Sequence, residues 1–368
     1  MASNIDITGL ALNPLEVGDL GAFIVERTFE DPTLRSIHAV WTGVKMKEQI
    51  AFASQLSKTG IKDSSCTRPN SGAKSIMTQK YWEPVKIGDT LVHCQADVNA
   101  LFKAYFAKVQ NYAQLFDITG TDLEQFLGVL LTEAAMKAVF RLVWLGDTDV
   151  EEATATGGET AVVAGVVDAD LVAFYDAIDG LWKQIFTAVT AGTIKKSTVV
   201  LSALNAESTT TLQTTLTAGD AVLVFEDMWR LADTRLRSDA NAQFLVSREI
   251  FENYRQYLQT KGENFTIDYT KDGLPSLKWN GKLIVNMETI WDLNLRADFV
   301  ADLDDNLYIL PNRAVLTVPA NIPVATLNDN DMSELDVWYE KKERQMYTAY
   351  GFTLDAKVLE EYMIVVAY

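Results

Sequence analysis

The chain has 368 residues, 48% of them hydrophobic, and a formal net charge of −18. That length and apolar share support a sizeable core, in two ordinary domains or one large domain with long excursions, and exclude a disordered protein. The acidic balance, with no basic cluster of five or more residues, argues against a nucleic-acid-binding surface.

The longest apolar run, Ala161 to Val167, is interrupted by glycine and far shorter than a membrane span. The opening Met1-Ala2-Ser3-Asn4 has no basic patch followed by an apolar stretch, so no secretory signal is expected and folding in a cytoplasm is. Two cysteines, Cys66 and Cys94, permit a disulfide on parity, but so few in a large chain read as free thiols.

In chain order, residues 1–45 are aperiodic and broken by Pro14, Gly18, Gly21 and Pro32, which predicts an extended arm with little core of its own. Residues 46–95 start with a short possible helix, Met46 to Leu56. They turn polar from Lys58 to Gly72, then carry strand-like segments, Ile76 to Val85 and Thr90 to Cys94, around a turn at Gly88-Asp89. The pattern predicts a long two-stranded loop standing away from a body.

Apolar residues at helical spacing from Val98 to Phe116 predict a helix that Gly120 ends. Thr121 with Glu124 forms a capping box for a second helix. Its stripe is Leu123, Leu127, Leu130, Ala134, Ala138, Leu142 and Leu145, and Gly146 sits where a stop belongs. Unbroken, this helix is about 36 Å long, longer than a compact small domain needs, and reads as a spine.

Residues 148–169 read as a flexible surface loop and Leu171 to Ala188 as a helix. Ser208 to Thr217 leads into a helix from Ala218 that carries Val222, Phe225, Trp229 and Ala232 on one side. Phe244 to Val246 is a short buried strand. Ser247 caps the helix after it, whose stripe is Ile250, Tyr254 and Leu258 and which ends at Gly262. Strands dominate afterwards: Phe265–Tyr269, Ser276–Trp279, Leu283–Asn286, Leu307–Leu310, Val315–Val318, Val337–Tyr339, Gln345–Tyr350 and Met363–Tyr368, with turns at Gly273 and Gly281. No internal repeat of fixed period is present.

The search for chemistry returns no catalytic, cofactor-binding or metal residue. His38 and His93 stand in different segments without a partner at ligand spacing, and read as surface or packed residues. Dinucleotide, phosphate-loop and nucleophile-elbow motifs are missing from the sequence. Asp302, Asp304 and Asp305 read as turn-capping residues. Asp329, Asp331, Ser333 and Glu340 match four positions of a calcium loop, but Glu334 occupies the sixth place, where that turn needs glycine. The tryptophans Trp229, Trp279, Trp291 and Trp338 read as packing, not as a base-stacking platform.

Three stretches carry a family resemblance: "HCQADVNALFKAYFAK…TDLEQFLGVLLTEAAMKAVFRLVWLGDT" (His93 to Thr148), "AQFLVSREIFENYRQYLQTKG" with "GLPSLKWNGKLIVNME" (Ala242 to Glu288), and "NLYILPNRAVLTVP" (Asn306 to Pro319). In order and type they resemble the major capsid proteins of tailed double-stranded DNA phages with the Hong Kong 97-like fold, similar to those of phages of Bacteroidota-type hosts. The likeness covers most of the chain through patterns of residue types, not invariant signatures. Some family members begin with a scaffolding segment of roughly a domain's length, whereas this sequence starts almost at once with arm-like residues.

The resemblance implies an α+β fold divided into an N-terminal arm (1–45), an extended β-hairpin loop (46–95) and a peripheral domain with the spine helix (96–160). An axial domain (161–308), return strands of the peripheral domain (309–345) and C-terminal strands (346–368) complete it. It also implies a non-enzymatic subunit, without cofactor or membrane contact, that forms hexamers and pentamers of itself. Those would enclose DNA without reading its sequence, beside portal, scaffolding and possible decoration proteins, in a virion capsid assembled in the host cytoplasm. The arm and loop would be ordered on neighbouring copies, through Phe23, Ile24, Phe29, Tyr81 and Trp82. A lysine–asparagine crosslink known in some relatives cannot be mapped onto this sequence. Two rival readings are an encapsulin-like nanocompartment shell protein and an unrelated α+β hydrolase or binding protein.

Overall fold

The structure, a computed structural model, describes residues 32–53, 77–94, 120–153, 164–197, 216–217, 219–261, 268–269, 275–299, 307–327, 336–340 and 345–368. Several expectations lie outside these residues: the arm as far as residue 31, the loop from Lys58 to Gly72, the helix from Val98 to Phe116 and the threonine-rich stretch before Leu216.

In chain order the elements begin with α1 (Pro32–Ile37), β1 (Val40–Trp41), β2 (Gln49–Ala53), β3 (Met77–Tyr81), β4 (Val85–Cys94), α2 (Gly120–Leu145), β5 (Glu151–Glu152) and β6 (Val166–Val167). They continue with α3 (Val172–Tyr175), α4 (Leu181–Thr190), β7 (Lys195–Lys196), α5 (Asp220–Leu231), α6 (Thr234–Ser238), β8 (Gln243–Val246) and α7 (Arg248–Lys261). The last are β9 (Asp268–Tyr269), β10 (Pro275–Trp279), β11 (Lys282–Asn286), α8 (Asp292–Asp298), β12 (Ala314–Thr317), β13 (Val324–Ala325), β14 (Asp336–Glu340), β15 (Gln345–Ala356) and β16 (Ile364–Ala367).

Two larger sheets organise the fold. A seven-stranded sheet has the order β7-β16-β12-β8-β11-β10-β9, with β8–β11 and β7–β16 parallel and the other pairs antiparallel. Its central strands β8, β12 and β16 are buried along their whole length. Successive side chains of a strand point to opposite faces, and the alternation divides the core. Phe244, Val246, Ala314, Leu316, Val365 and Ala367 face α5 and α7. Leu245, Val315, Ile364 and Val366 face α2, α4 and α8. The second sheet, of five strands, centres on β15, which pairs with β4 over ten residues, with β14 at its start and with β13 at its end; β1 adds in parallel to β13.

The expected long helix is present as one element, α2, of 26 residues, about 39 Å long. Side chains are described from Glu133 onward, and there the buried positions are Ala135, Val139 and Leu142 through Leu145, so the expected Ala134 and Ala138 lie at the margin of the stripe. Its end is set by close approach. A Cβ at Gly146 would lie 2.5 Å from the Ile178 carbonyl oxygen, and one at Gly180 would lie 2.8 Å from the Gly146 nitrogen. The Gly180 amide donates to the Gly146 carbonyl at 2.8 Å, so two glycines let the ends of α2 and α4 touch through backbone.

At Gly180 the expected single helix from Leu171 to Ala188 divides into α3 and α4. Residues 148–169 are not simply a surface loop: β5 and β6 pair in parallel, and Ala164, Val166 and Val167 are buried. On α5 the buried face is Ala221, Val224, Phe225 and Met228, with Val222 and Trp229 only half-buried, because Trp229 turns to meet Trp279 edge-on at 5.7 Å. Leu307 to Ile309 is a 3-10 turn, not a strand, and within the expected helix from Met46 to Leu56 the described residues Gln49–Ala53 form β2 instead. Gly88-Asp89 runs straight through β4, since pairing with Gly351 and Tyr350 outweighs its turn chemistry.

The hairpin from β10 to β11 turns at Asn280 and Gly281, both with positive φ (48° and 79°), as a two-residue turn of that twist requires. Ser247 precedes α7 as expected, but its hydroxyl accepts from the Arg313 amide at 3.3 Å, while the Arg248 amide is met by Asp292 at 3.0 Å.

Candidate assembly surface

The hairpin of β2 and β3 pairs Gln49 with Tyr81 through Ala53 with Met77. Its root is fixed to the body. The Lys47 amide donates to the Trp82 carbonyl at 2.8 Å, and the Trp82 amide to the Glu48 carbonyl at 3.0 Å. Lys80 Nζ donates to the Val358 carbonyl at 2.7 Å. The Glu83 amide donates to Asp355 Oδ2 at 2.8 Å. Burial raises the Asp355 carboxyl, although that amide and Lys357 oppose the shift.

Trp82 is buried at 1% exposure among Val44, Ile50, Ala325 and Leu359. This corrects the expectation that Trp82 reaches a neighbouring copy: its ring anchors the hairpin to its own subunit. Tyr81 does face outward, at 43% exposure, together with Trp41, Met46 and Val85 around the same root. Trp41 stands edge-on to Trp82 at 5.5 Å, so part of this outward apolar surface is backed by the anchor.

The segment before the hairpin is also corrected. Residues 32–38 are not arm-like: α1 buries Leu34 and Ile37 in the main core. His38 is a packed histidine. Its Nδ1 lies 2.8 Å from the Ile322 carbonyl oxygen, and its Nε2 accepts the Trp144 indole N–H at 3.0 Å. A carbonyl only accepts, so the proton sits on Nδ1 and the ring is neutral. Burial lowers its pKa to about 4, against the opposing effect of the carbonyl.

Behind His38 lies an aromatic block that sequence reading did not assemble. Trp144 meets Trp291 at 4.9 Å, and Trp291 meets Trp182 at 5.2 Å. Arg313, fully buried, lies 4.8 Å over the Trp182 ring and donates to the carbonyls of Leu310, Leu307 and Tyr308 at 2.6, 2.8 and 2.8 Å. Burial lowers its guanidinium to about 10. Asp147, also fully buried, accepts from the Gly165 amide at 2.7 Å and pairs with Lys183 at 2.8 Å. Burial alone would lower the Lys183 ammonium; hydrogen bonds to Asp147 and Asp149 outweigh it and the net shift is upward. Arg313 and Asp147 thereby hold loop backbone in place, while Arg313 Nη1 meets no hydrogen-bond partner among the described residues.

Among the described residues no three His, Cys, Asp or Glu side chains converge as metal ligands, and no helix is long and apolar enough to cross a membrane. Cys66, Asp302, Asp304, Asp305, Asp329, Asp331 and Trp338's side chain lie outside what the structure describes, as does the His93 side chain within β4.

A long helix, two larger sheets and a hairpin anchored at its root define a mixed α+β chain, and this fold has solved counterparts in phage particles. One is a chain of the satellite phage P4 procapsid including size determination (Sid) protein, with a TM-score of 0.51 at 10% identity, covering 94% of this chain and 96% of that one. Another is a chain of Gordonia phage Cozz, with a TM-score of 0.50 at 10% identity over 91% and 85%. At such identity the likeness is one of fold. No protein-family model matches the chain, and no curated protein is similar to it in sequence.

Proposed function

We propose that this chain is a major capsid protein of a tailed double-stranded DNA phage, a non-enzymatic subunit that assembles with copies of itself into an icosahedral shell around the genome. The observation that carries the reading is the fold likeness to a procapsid chain along nearly the full length of both. In this Hong Kong 97-like reading α2 is the spine, β2 and β3 are the base of the extended loop, and the seven-stranded sheet with α5 and α7 is the axial domain. Hexamers and pentamers of the chain are its main partners, with portal, scaffolding and decoration proteins beside them.

The outward apolar residues at the hairpin root supply contact area. At about 25 cal/mol per Å² of apolar surface, a few hundred Å² per contact contribute several kcal/mol before ordering costs. The test is expression of the full chain, followed by sedimentation and negative-stain microscopy. Capsomers or closed shells are expected, and in particles recovered from infected cells the content is DNA. A chain that stays monomeric under every condition overturns the reading, and a folded enzyme inside the shell would assign a nanocompartment instead.

A further inference from the structure

An asparagine followed by glycine is the pair in a peptide chain most open to self-modification. The glycine nitrogen can attack the asparagine side-chain carbonyl carbon with no side chain of its own in the way. The sequence holds this pair once, at Asn280-Gly281, and the fold places it at the tip of the β10–β11 hairpin. Both residues are exposed, and a Cβ built on Gly281 would meet nothing within 4 Å. Among the described residues the Gly281 amide has no hydrogen-bond partner, so no bond competes for the attacking nitrogen and water reaches the side chain.

Asp179-Gly180 shows the opposite arrangement. An aspartate–glycine pair can form the same ring with loss of water. Here the Gly180 amide donates to the Gly146 carbonyl at 2.8 Å, and a Cβ at Gly180 would lie 2.8 Å from the Gly146 nitrogen. That amide is both bonded and enclosed, whereas the one after Asn280 is neither.

What restrains Asn280 is backbone geometry. Its φ is 48° and that of Gly281 is 79°, the left-handed pair that a two-residue turn needs. With ψ at about +47° in that conformation, the Gly281 nitrogen lies nearly opposite Cβ across the Cα–C bond. Ring closure needs the two eclipsed, so the turn has to open first. Its flanks oppose the opening. Trp279 pairs with Lys282, and the Trp279 ring stands edge-on to Trp229 and to Phe244 at 5.7 Å each. Lys282 Nζ donates to the Asp239 carbonyl, and the Tyr254 hydroxyl donates to the Lys278 carbonyl at 3.0 Å.

We infer that Asn280 is a site of spontaneous deamidation whose rate is set by opening of the β10–β11 hairpin. The Gly281 nitrogen bonds to Asn280 Cγ and loses its proton, the Cγ–Nδ2 bond breaks, and ammonia leaves. Water then opens the five-membered imide at either carbonyl, giving aspartate or isoaspartate. The two products act differently on the fold. Asp-Gly suits the same turn. Isoaspartate adds a carbon to the main chain, so the two-residue connection no longer closes Trp279 on Lys282. Because β11 lies between β8 and β10, that change reaches the interior of the seven-stranded sheet. The chemistry is slow, so its rate follows the equilibrium population of the open turn.

The test holds the full-length chain folded at mildly alkaline pH, beside the same chain unfolded in guanidinium chloride. The amide-to-acid mass gain on the peptide containing Asn280 is followed with time, and isoaspartate is read by enzymatic methyl-ester labelling. The folded chain is expected to convert about tenfold or more slowly than the unfolded one. Lys282→Ala, which removes the bond to Asp239, is expected to convert several-fold faster than wild type when folded and at the wild-type rate when unfolded. Its melting temperature is read first; if it does not fold, Trp229→Leu, which removes a ring contact of Trp279, takes its place.

Equal rates in folded and unfolded wild type overturn the inference. So does a folded Lys282→Ala chain that converts no faster than wild type, including the case in which neither converts. Aspartate as the sole product would overturn the imide route. None of these outcomes bears on whether the chain assembles.

Discussion

His38 carries an acid sensitivity that follows from its two hydrogen bonds. Protonation would place a second N–H at Nε2, aimed at the Trp144 indole N–H that now donates to it. The cost of charging a buried ring lowers its folded pKa to about 4, below the ordinary imidazole value of 6.5. Because the unfolded chain then binds the proton more readily, the stability this residue contributes is complete above about pH 6.5 and is lost as pH falls towards about 4. Between about pH 7 and about pH 5 the loss from this residue is about 2 kcal/mol. Urea unfolding of the unassembled chain at those two pH values checks it. His38→Gln, which cannot take the proton, should show an acid loss smaller by about that amount, and equal losses in the two proteins would refute the assignment.

At the scale of the element, α2 connects surfaces that must keep their relation. Ala135 is buried near the middle of the helix, at 4% exposure. Proline there removes one backbone hydrogen bond and clashes with the preceding turn, about 3 kcal/mol or more. The effect on assembly should exceed that figure, because a kink redirects the packed end, where Gly146 and Gly180 leave no slack. Ala135→Pro is therefore expected to give soluble chain without particles, and wild-type-like particles in sedimentation would mean that the helix is not the spine.

This helix was legible in the sequence because its apolar period runs on to Leu145, although it starts at Gly120, which was expected to break the preceding helix. So were β8 with the stripe of α7, and the β10–β11 hairpin with its turn at Gly281. The misreadings share a cause: short segments whose structure is decided by distant partners. Pro32–Ile37 is a helix packed into the core, and His38 after it is held by Ile322 and Trp144, 284 and 106 positions away. Gly88 is extended because β15 lies alongside it.

For the whole molecule the relevant division is between a body that holds itself and a hairpin that leaves it. The body's parts are mutually braced: Trp82 locks the hairpin root to β13 and to Leu359, and β15 ties β4 to β13 and β14. The ladder between β2 and β3 closes at Ala53 and Met77, and residues 54–76 continue beyond it. These bracing contacts all lie between described residues outside that segment. Replacing 54–76 by a two-residue Asn-Gly turn, which suits an antiparallel pair, should leave the melting temperature of the unassembled chain within a few degrees of wild type, corresponding to less than about 1 kcal/mol. Particle formation should be lost, because the polar, turn-rich segment from Lys58 to Gly72 would contribute through neighbouring copies and not through its own core. Microscopy and a thermal melt on the same preparation separate the two readings. A shortened chain that melts normally and builds no shell fits an intersubunit loop, whereas one that still builds shells, or that unfolds at much lower temperature, would place the segment's role within its own subunit.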